Sequence, residues 1–518
     1  MFAVVCLNDL VRGLMAFVKE TYDVVLIETP SAYVIERYDE PPYPDIGTAY
    51  IGNYLEQHSG ISVAIIDAKL SRYDINQTIE KTLELQPKIV GISSMTHLVK
   101  TAARISDSLK KHLPELTTVL GGYHATFLPG ETVNEFPTFD FICAGEGEIA
   151  FNELCEKILN HDKNIYDIKG MWNITNGIVK DNGRGEIPKT LDELGVPGWH
   201  LFDQDIMKRY ATEFPLMTMR GCPFSCNFCS RPYGKLVRKR TPKLIVDEIE
   251  NNLKSYNVEY IEFWDETFTV NKEHTRLICE EIISRNLTIK WRCQTHANTL
   301  NKEIVVLMKR AGCVLGAFGV ESGNVEILAK MGKGATKERI INARNLFKDA
   351  GITTCSFFIF GHPNETIKSI WDSIKFATKL NCEETAIGIM VPYPGTEIYD
   401  MALKGENGYV KMSFDWDDYN KQLGNAVELV TISRRKIELM QLSAYFWLYI
   451  VNGRLKDIYR MIKVSGNHNI WRLVVSIILK IISPKSFPRF FRKKRLPSRS
   501  KIDLSNSEKT PTITNNFY

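Results

Sequence analysis

The chain has 518 residues, which is long enough for two or three domains that each bury a core of their own. Hydrophobic residues make up 44% and charged residues 24%, and these ordinary proportions exclude collagen-like, disordered and disulfide-dense secreted proteins. The net charge of +4 conceals an asymmetry, because residues 485–501 carry eight Lys or Arg and no acid. The mildly acidic body that remains argues against an enzyme acting on nucleic acid.

The sequence also favours a cytoplasmic protein. Residues 1–20 contain an apolar run but neither a basic n-region nor a small-residue cleavage site, so we do not expect a signal peptide. The longest apolar runs, 440–451 and 470–482, are too short to span a bilayer. Thiols stay reduced in the cytoplasm, and clustered cysteines there indicate metal binding or catalysis rather than disulfides.

Short apolar strands alternate with amphipathic helices over residues 1–160. This alternation predicts a doubly wound parallel sheet with helices on both faces. The predicted strands end in SSMTH, GGYHAT and GEGE, which are rich in small and polar residues. Ligands of such sheets bind in the crevice beyond the carboxyl ends of the strands, so these three segments mark the expected binding site.

Residues 161–213 interrupt the alternation, and we interpret them as a linker with a β-hairpin at an Asn-Gly turn. Six βα repeats follow over residues 214–400 and predict a partial (β/α)6 barrel of the TIM type, with its chemistry at the carboxyl ends of the strands. Residues 401–497 are interpreted as a helical module and residues 498–518 as a disordered polar tail. The predicted fold class is therefore α/β with an α-helical C-terminal region.

Three of the 11 cysteines follow the first barrel strand in the segment RGCPFSCNFC. Cys222, Cys226 and Cys229 have CxxxCxxC spacing, and no fourth cysteine is close in sequence. Iron–sulfur clusters normally have four cysteine ligands. A zinc site with a remote fourth ligand is the alternative, but tight spacing on a short loop suits a cubane cluster better.

The segment resembles the radical S-adenosylmethionine (SAM) enzymes. The resemblance implies that the three thiolates hold three irons of a [4Fe–4S] cluster, and that SAM binds the open fourth iron. It places Phe228 near the adenine. It also implies that Asp265 and Glu266, in FWDETF, bind the amino group of SAM. The Gly-Gly-Glu motif, which is commoner at this place in the family, is absent. Glu321, in GVESG, would contact the ribose or the amino group.

The front domain resembles the cobalamin-binding domain of the B12-dependent radical enzymes, through PPYPDIGTAYIGNYL, GGYHATFLPGE and GEGE in that order. The Asp-x-His-x-x-Gly motif is missing, so the resemblance implies cobalamin without a protein His ligand to cobalt. A domain that binds nothing is the alternative. The candidate cofactor residues are Ser93, Ser94, Gly121, Gly122, His124, Gly145 and Glu146, where His124 is expected to hydrogen-bond a loop or the corrin edge.

These resemblances predict a cobalamin-dependent radical SAM methyltransferase that alkylates an unactivated carbon of an apolar or lipid-like small molecule. A reduced donor such as ferredoxin or flavodoxin would supply electrons. One alternative is a radical cyclase resembling the anaerobic Mg-protoporphyrin monomethyl ester cyclases, and another is a non-catalytic corrinoid or iron–sulfur carrier. The sequence assigns no catalytic side chain. An apolar segment followed by the basic tail predicts peripheral contact with the inner face of a membrane.

Overall fold

The computed structural model describes residues 21–31, 42–420 and 425–454, all within one compact unit. The predictions made for residues 1–20, for the basic tail and for the disordered end lie outside the described residues. In the part of the chain that the structure covers, no helix is both long and apolar enough to cross a membrane.

The N-terminal sheet has five parallel strands and an antiparallel extension, in the order β2-β1-β3-β4-β5-β6-β7. Its central strands are buried on both faces, as expected of a parallel sheet covered by helices. The strands are β1 Val24–Glu28, β2 Val63–Asp67, β3 Ile89–Ser93, β4 Thr117–Gly121, β5 Phe141–Cys143, β6 Met171–Thr175 and β7 Ile178–Lys180. The helices are α1 Ile46–Ser59, α2 Ile75–Glu84, α3 Val99–His112, α4 Tyr123–Phe127, α5 Pro129–Glu135 and α6 Glu148–Leu159.

The hairpin predicted at the Asn-Gly turn is β6–β7, but it is not part of a free linker. β6 pairs antiparallel with β5 through Ile142 opposite Trp172 and Cys143 opposite Met171. The hairpin therefore completes the edge of the first sheet, and the buried Met171 adds to its core. Helix α7, Gln204–Tyr210, then leads into the second sheet.

The second sheet has six parallel strands in the order β15-β14-β13-β12-β11-β8. Consecutive strands are neighbours and helices connect them, which confirms the predicted partial barrel. The strands are β8 Glu213–Leu216, β11 Tyr260–Phe263, β12 Trp291–Thr295, β13 Cys313–Glu321, β14 Thr353–Phe360 and β15 Glu384–Ile389, and a small pair, β9 Met219–Arg220 with β10 Arg238–Lys239, follows β8. The helices are α8 Pro242–Ser255, α9 Lys272–Ser284, α10 Lys302–Arg310, α11 Val325–Lys330, α12 Lys337–Asp349, α13 Ile367–Leu380 and α14 Glu397–Lys404.

The described part of the C-terminal region is not wholly helical. An antiparallel pair, β16 Tyr409–Met412 with β17 Val427–Leu429, precedes the long helix α15, Arg434–Val451. The pair forms because Tyr409 and Leu429 are buried and face each other across it.

The C-terminal region also bridges to the first domain. The Trp416 indole packs edge-on against the His124 ring at 4.7 Å between centroids, and its Nε1 donates to Glu135 at 2.8 and 3.0 Å. Lys100 and Asp415 form a salt bridge of 2.5 Å beside this contact. The described residues of the three sequence regions therefore share one packed body.

Candidate cofactor site

The cysteine loop runs between the paired strands β9 and β10, at the carboxyl end of the first barrel strand. The Cys222 amide donates to the Gly234 carbonyl at 3.1 Å, and the Cys229 amide donates to the Cys226 carbonyl at 3.2 Å. The three thiols are half-buried, whereas the seven other described cysteines are fully buried. The three cysteines that the spacing selected are therefore the ones that stay partly exposed among the described cysteines.

The donor set fits a cluster rather than a single ion. Among the residues that the structure describes, no three His, Cys, Asp or Glu side chains converge as ligands of one metal ion would. A cubane does not require such convergence, because each thiolate binds a different iron. Burial raises the pKa of the Cys226 thiol to about 11 and also raises that of Cys229, so these two thiols favour the neutral form in the folded protein. Metal binding would release their protons.

Buried carboxylates hold the start of this loop. Asp265 accepts from the amides of Thr218 and Met219 at 2.7 and 2.8 Å, and from the Thr218 hydroxyl at 2.5 Å. Its neighbour Glu266 accepts from the Gly221 amide at 3.0 Å through Oε2. The two residues, to which the resemblance gave one role, therefore differ from each other: both oxygens of Asp265 accept from protein groups, whereas Glu266 uses only Oε2. The buried Oε1 of Glu266 has no protein partner and is the carboxylate oxygen left for a ligand.

On the opposite side of the loop, its own residue Phe228 faces Lys333, which pairs with Glu321. The Lys333 ammonium lies 2.5 Å from Glu321 Oε1 and 6.0 Å from the centre of the Phe228 ring. The Asn227 amide donates to the Met331 carbonyl at 3.0 Å, which ties the loop to the segment that carries Lys333. Lys333 therefore links the two predicted residues: it faces the Phe228 ring and forms a buried ion pair with the Glu321 carboxylate.

A cavity of about 490 Å³ lies between the carboxyl ends of the first sheet and the start of the barrel. Its volume is in the usual range of cofactor sites, about 300–1,000 Å³. On the sheet side its walls include the predicted residues Ser93, Ser94, Gly121, Gly122, Gly145 and Glu146. On the barrel side they include Met217, Arg220, Tyr233, Trp264 and Glu266.

Two glycines shape the sheet side of this cavity. Gly122 has φ of +94°, and a Cβ there would lie 2.5 Å from the Ser94 carbonyl oxygen, so only glycine fits. A Cβ on Gly121 would meet nothing within 4 Å, because this residue borders the open space. His124 differs from the other candidates, since it packs against Trp416 and does not line the cavity. Burial lowers its pKa to about 4, as expected of a neutral core histidine.

The cavity also contains charged groups that the sequence interpretation missed. Glu28 and Lys69 form a salt bridge, and Asp67 accepts from the amides of Asp45 and Leu70 at 2.8 and 3.0 Å. Burial raises the pKa of Glu28 to about 7 and that of Asp67 to about 6. The sequence could have revealed Glu28 and Asp67 as site residues, because each is the last residue of a strand of the parallel sheet, and ligands bind at that edge of such sheets.

Arg220 joins the two walls. Its Nη1 donates to Glu146 Oε2 and its Nη2 to Glu148 Oε1, both at 2.6 Å. Arg238, directly opposite Arg220 in the β9–β10 pair, binds the other oxygen of Glu146. All four side chains are less than a tenth exposed. The acids of the GEGE segment are therefore bound to the base of the cysteine loop.

Two family models match this chain. The B12 binding domain covers residues 35–155 and the Radical SAM superfamily covers residues 216–377. The first contains the glycine-lined wall of the cavity, and the second contains the cysteine loop and strands β9 to β14.

Known proteins match over most of the chain. An uncharacterized methyltransferase of Pyrococcus horikoshii is 31% identical, over 84% of this chain and 94% of its own length. An anaerobic magnesium-protoporphyrin IX monomethyl ester cyclase of Rubrivivax gelatinosus is 30% identical, over 73% of this chain and 69% of its own length. The structure of OxsB, a cobalamin-dependent SAM radical enzyme with aqua-cobalamin and SAM bound, is similar in fold, with a TM-score of 0.69 and 20% sequence identity. The match covers 89% of this chain and 71% of the OxsB chain.

Proposed function

The chain belongs to the cobalamin-binding radical SAM enzymes, and from that premise we propose that it transfers a methyl group to an unactivated carbon of a small molecule. The observation that supports this most directly is the shared cavity, which puts the predicted corrin wall against the strand that leads to Cys222. Methyl transfer to a carbon radical requires that the two cofactors meet at one substrate. The relative from Pyrococcus horikoshii, described as a methyltransferase, supports the same activity.

Cys222, Cys226 and Cys229 would hold the cluster, and Phe228 would pack near the adenine of SAM. When bound, the cluster and SAM supply a hydrogen-abstracting radical, and methylated cobalamin supplies the methyl group. Glu266 would bind the amino group of SAM through its unpartnered oxygen. Asp265 and the Glu321–Lys333 pair would fix the loop on either side of the ligand.

The cavity would hold cobalamin on Ser93, Ser94, Gly121, Gly122 and Gly145. Glycine and serine there let a large planar ligand approach the backbone closely. Cobalamin would bind here without a protein ligand to cobalt, because the sequence lacks the Asp-x-His-x-x-Gly motif. Barrel-side aromatic residues, Tyr233 and Trp264, would close the space over the ligand and exclude water.

The test is anaerobic reconstitution with iron, sulfide, cobalamin and a low-potential donor of the ferredoxin or flavodoxin class. Each methyl transferred should consume two SAM and two electrons, and yield one 5′-deoxyadenosine and one S-adenosylhomocysteine. Reduced protein that makes no 5′-deoxyadenosine would contradict the radical function. A loaded protein without turnover would indicate a carrier instead.

The cyclase is a second candidate, because a cyclase is 30% identical over 73% of this chain. A cyclase would release 5′-deoxyadenosine without S-adenosylhomocysteine. The ratio of the two products in one assay therefore separates the candidates without knowledge of the substrate. Comparison of lipids and metabolites between wild-type and deletion strains would then identify the substrate.

We further propose that the substrate is apolar and that the protein binds it while associated with a membrane surface. The C-terminal end of α15 exposes Phe446, Trp447, Ile450 and Val451 to solvent. Exposed aromatic and aliphatic side chains, in a chain whose sequence also carries the basic segment 485–501, favour binding to anionic bilayers. Cosedimentation with vesicles of anionic and of neutral lipid tests this: binding to the anionic vesicles should weaken in high salt, and equal binding to both would contradict it.

A further inference from the structure

The segment that carries the three cysteines is a loop closed at its base by one pair of opposed residues. Residues 221–237 leave β9 after Arg220 and return into β10 at Arg238, and these two arginines face each other in the antiparallel pair. The base of the loop therefore carries two guanidinium groups side by side. Such a pair is unfavourable in a buried place unless carboxylates lie between them.

Glu146 supplies the shared carboxylate. One of its oxygens accepts from Arg220 at 2.6 Å, and the other binds Arg238. Glu148 completes the cluster with a 2.6 Å contact to the second terminal nitrogen of Arg220. Both acids belong to the first domain, at the turn between β5 and α6, and both line the cavity. The link is thus between domains, and it ends two residues before Cys222.

We propose that Glu146, with Arg220 and Arg238, positions the cysteine loop in response to what occupies the cavity. Glu146 is then a positioning residue and not, as its place in the sequence suggested, a ligand of the corrin. This inference rests on the proposed function, since it needs cobalamin as the occupant. The physical reason is geometric, because both terminal nitrogens of the planar Arg220 guanidinium are bound, one by Glu146 and one by Glu148. A shift of the GEGE turn should therefore move the base of the loop with it.

The hydrogen bonds of loop residues 221–237 stay within the loop or reach the barrel, whereas Arg240, two residues beyond the base, donates to the Tyr50 hydroxyl of the first domain at 3.0 Å. Asp265 and Glu266 hold the first residues of the loop from within the barrel, and Asn227 ties its middle to Met331. Those contacts fix the loop to the barrel alone. Loss of the Glu146 contacts should therefore leave the loop folded and able to hold a cluster. The position of the loop should then no longer depend on whether the cavity is occupied.

The test is hydrogen exchange in peptides that cover residues 218–239, on full-length protein with its cluster reconstituted. Saturating hydroxocobalamin should slow exchange there about tenfold in wild type, because closure of the cavity restrains the loop. Glu146→Gln should bind cobalamin and iron in full yet show no slowing. Its 5′-deoxyadenosine formation should fall about a hundredfold, as a misplaced reacting group requires.

Two further variants make the result specific. Glu248→Gln is the matched control, because Glu248 forms a buried pair with Arg240 at 2.7 Å and does not line the cavity; it should respond to cobalamin as wild type does. Arg238→Lys, which keeps the charge, should retain part of the response and serves if Glu146→Gln does not fold. Equal slowing in wild type, Glu146→Gln and Arg238→Lys would overturn the inference alone. Absence of cobalamin binding by wild type would instead overturn the proposed function, and the inference with it.

Discussion

Asp265 accepts two hydrogen bonds from Thr218, one from the backbone amide at 2.7 Å and one from the hydroxyl at 2.5 Å. This pairing joins the end of β11 to the turn after β8, and so fixes the point from which the cysteine loop departs. Burial raises the pKa of Asp265 to about 7, despite hydrogen bonds that lower it. Its ordinary value is 3.8, so the folded protein binds a proton here that the unfolded chain releases over that range.

The first prediction concerns pH. The proton that Asp265 binds stabilises the folded wild-type protein at low pH, and this stabilisation is lost as pH rises from about 4 to about 7, at up to about 1.4 kcal/mol per pH unit. Asp265→Asn cannot ionise, so its stability deficit relative to wild type should shrink over the same range. Thermal unfolding midpoints of both proteins between pH 5 and 8 measure this. A deficit that stays constant with pH would contradict the assigned pKa.

The second prediction concerns Gly221. Its φ is +100°, and a Cβ would lie 2.1 Å from the Leu236 carbonyl oxygen. Gly221→Ala should therefore distort the loop and abolish the brown cluster absorption after reconstitution. Gly234→Ala is the matched control, because Gly234 has φ of +73° in the same loop but open space around its Cβ position. Gly234→Ala should lower the free energy of unfolding by only about 1–2 kcal/mol, and the variant should still assemble the cluster.

The third prediction concerns the thiols. Cys226→Ala should remove the cluster absorption and all 5′-deoxyadenosine, because two thiolates do not hold a [4Fe–4S] cluster. Cys355→Ala, which changes a buried thiol on β14, should reconstitute with the same iron content as wild type. Iron and sulfide analysis of the two variants side by side checks both statements. A cluster retained in Cys226→Ala would point to another ligand.

These sites show what the sequence could and could not predict. The order of strands follows from alternating apolar segments, and Cys222, Cys226 and Cys229 follow from spacing, since both are local properties. Asp265 was predicted from its motif as a residue that binds the amino group of SAM, but its hydrogen bonds to the base of the cysteine loop reach residues 46 and 47 positions away. Such long-range pairings leave no local pattern. Likewise Arg220 precedes a motif in the sequence, and only the fold brings it to Glu146, 74 positions away.

The fourth prediction concerns the cavity. Gly121 has space around its Cβ position, so Gly121→Leu should fold normally and place its side chain in the volume proposed for cobalamin. Gly121→Ala adds one carbon and should bind with little loss. Titration with hydroxocobalamin, followed by its visible absorption, should show at least about a tenfold weaker affinity for the leucine variant, from steric exclusion alone. Equal affinities would place the cofactor elsewhere.

The fifth prediction concerns the buried pair of Glu321 and Lys333, which lies beside Phe228. Lys333→Met leaves the Glu321 carboxylate buried without its cation, so it should destabilise the protein by about 3–5 kcal/mol. Adding Glu321→Gln removes the stranded charge and should recover part of that loss, whereas two independent effects would add. Urea unfolding of the single and double variants measures the coupling. The same double variant should still assemble a cluster, because neither residue is a thiol ligand. The affinity of the double variant for SAM then reports whether the Glu321–Lys333 pair shapes the adenine side of the site.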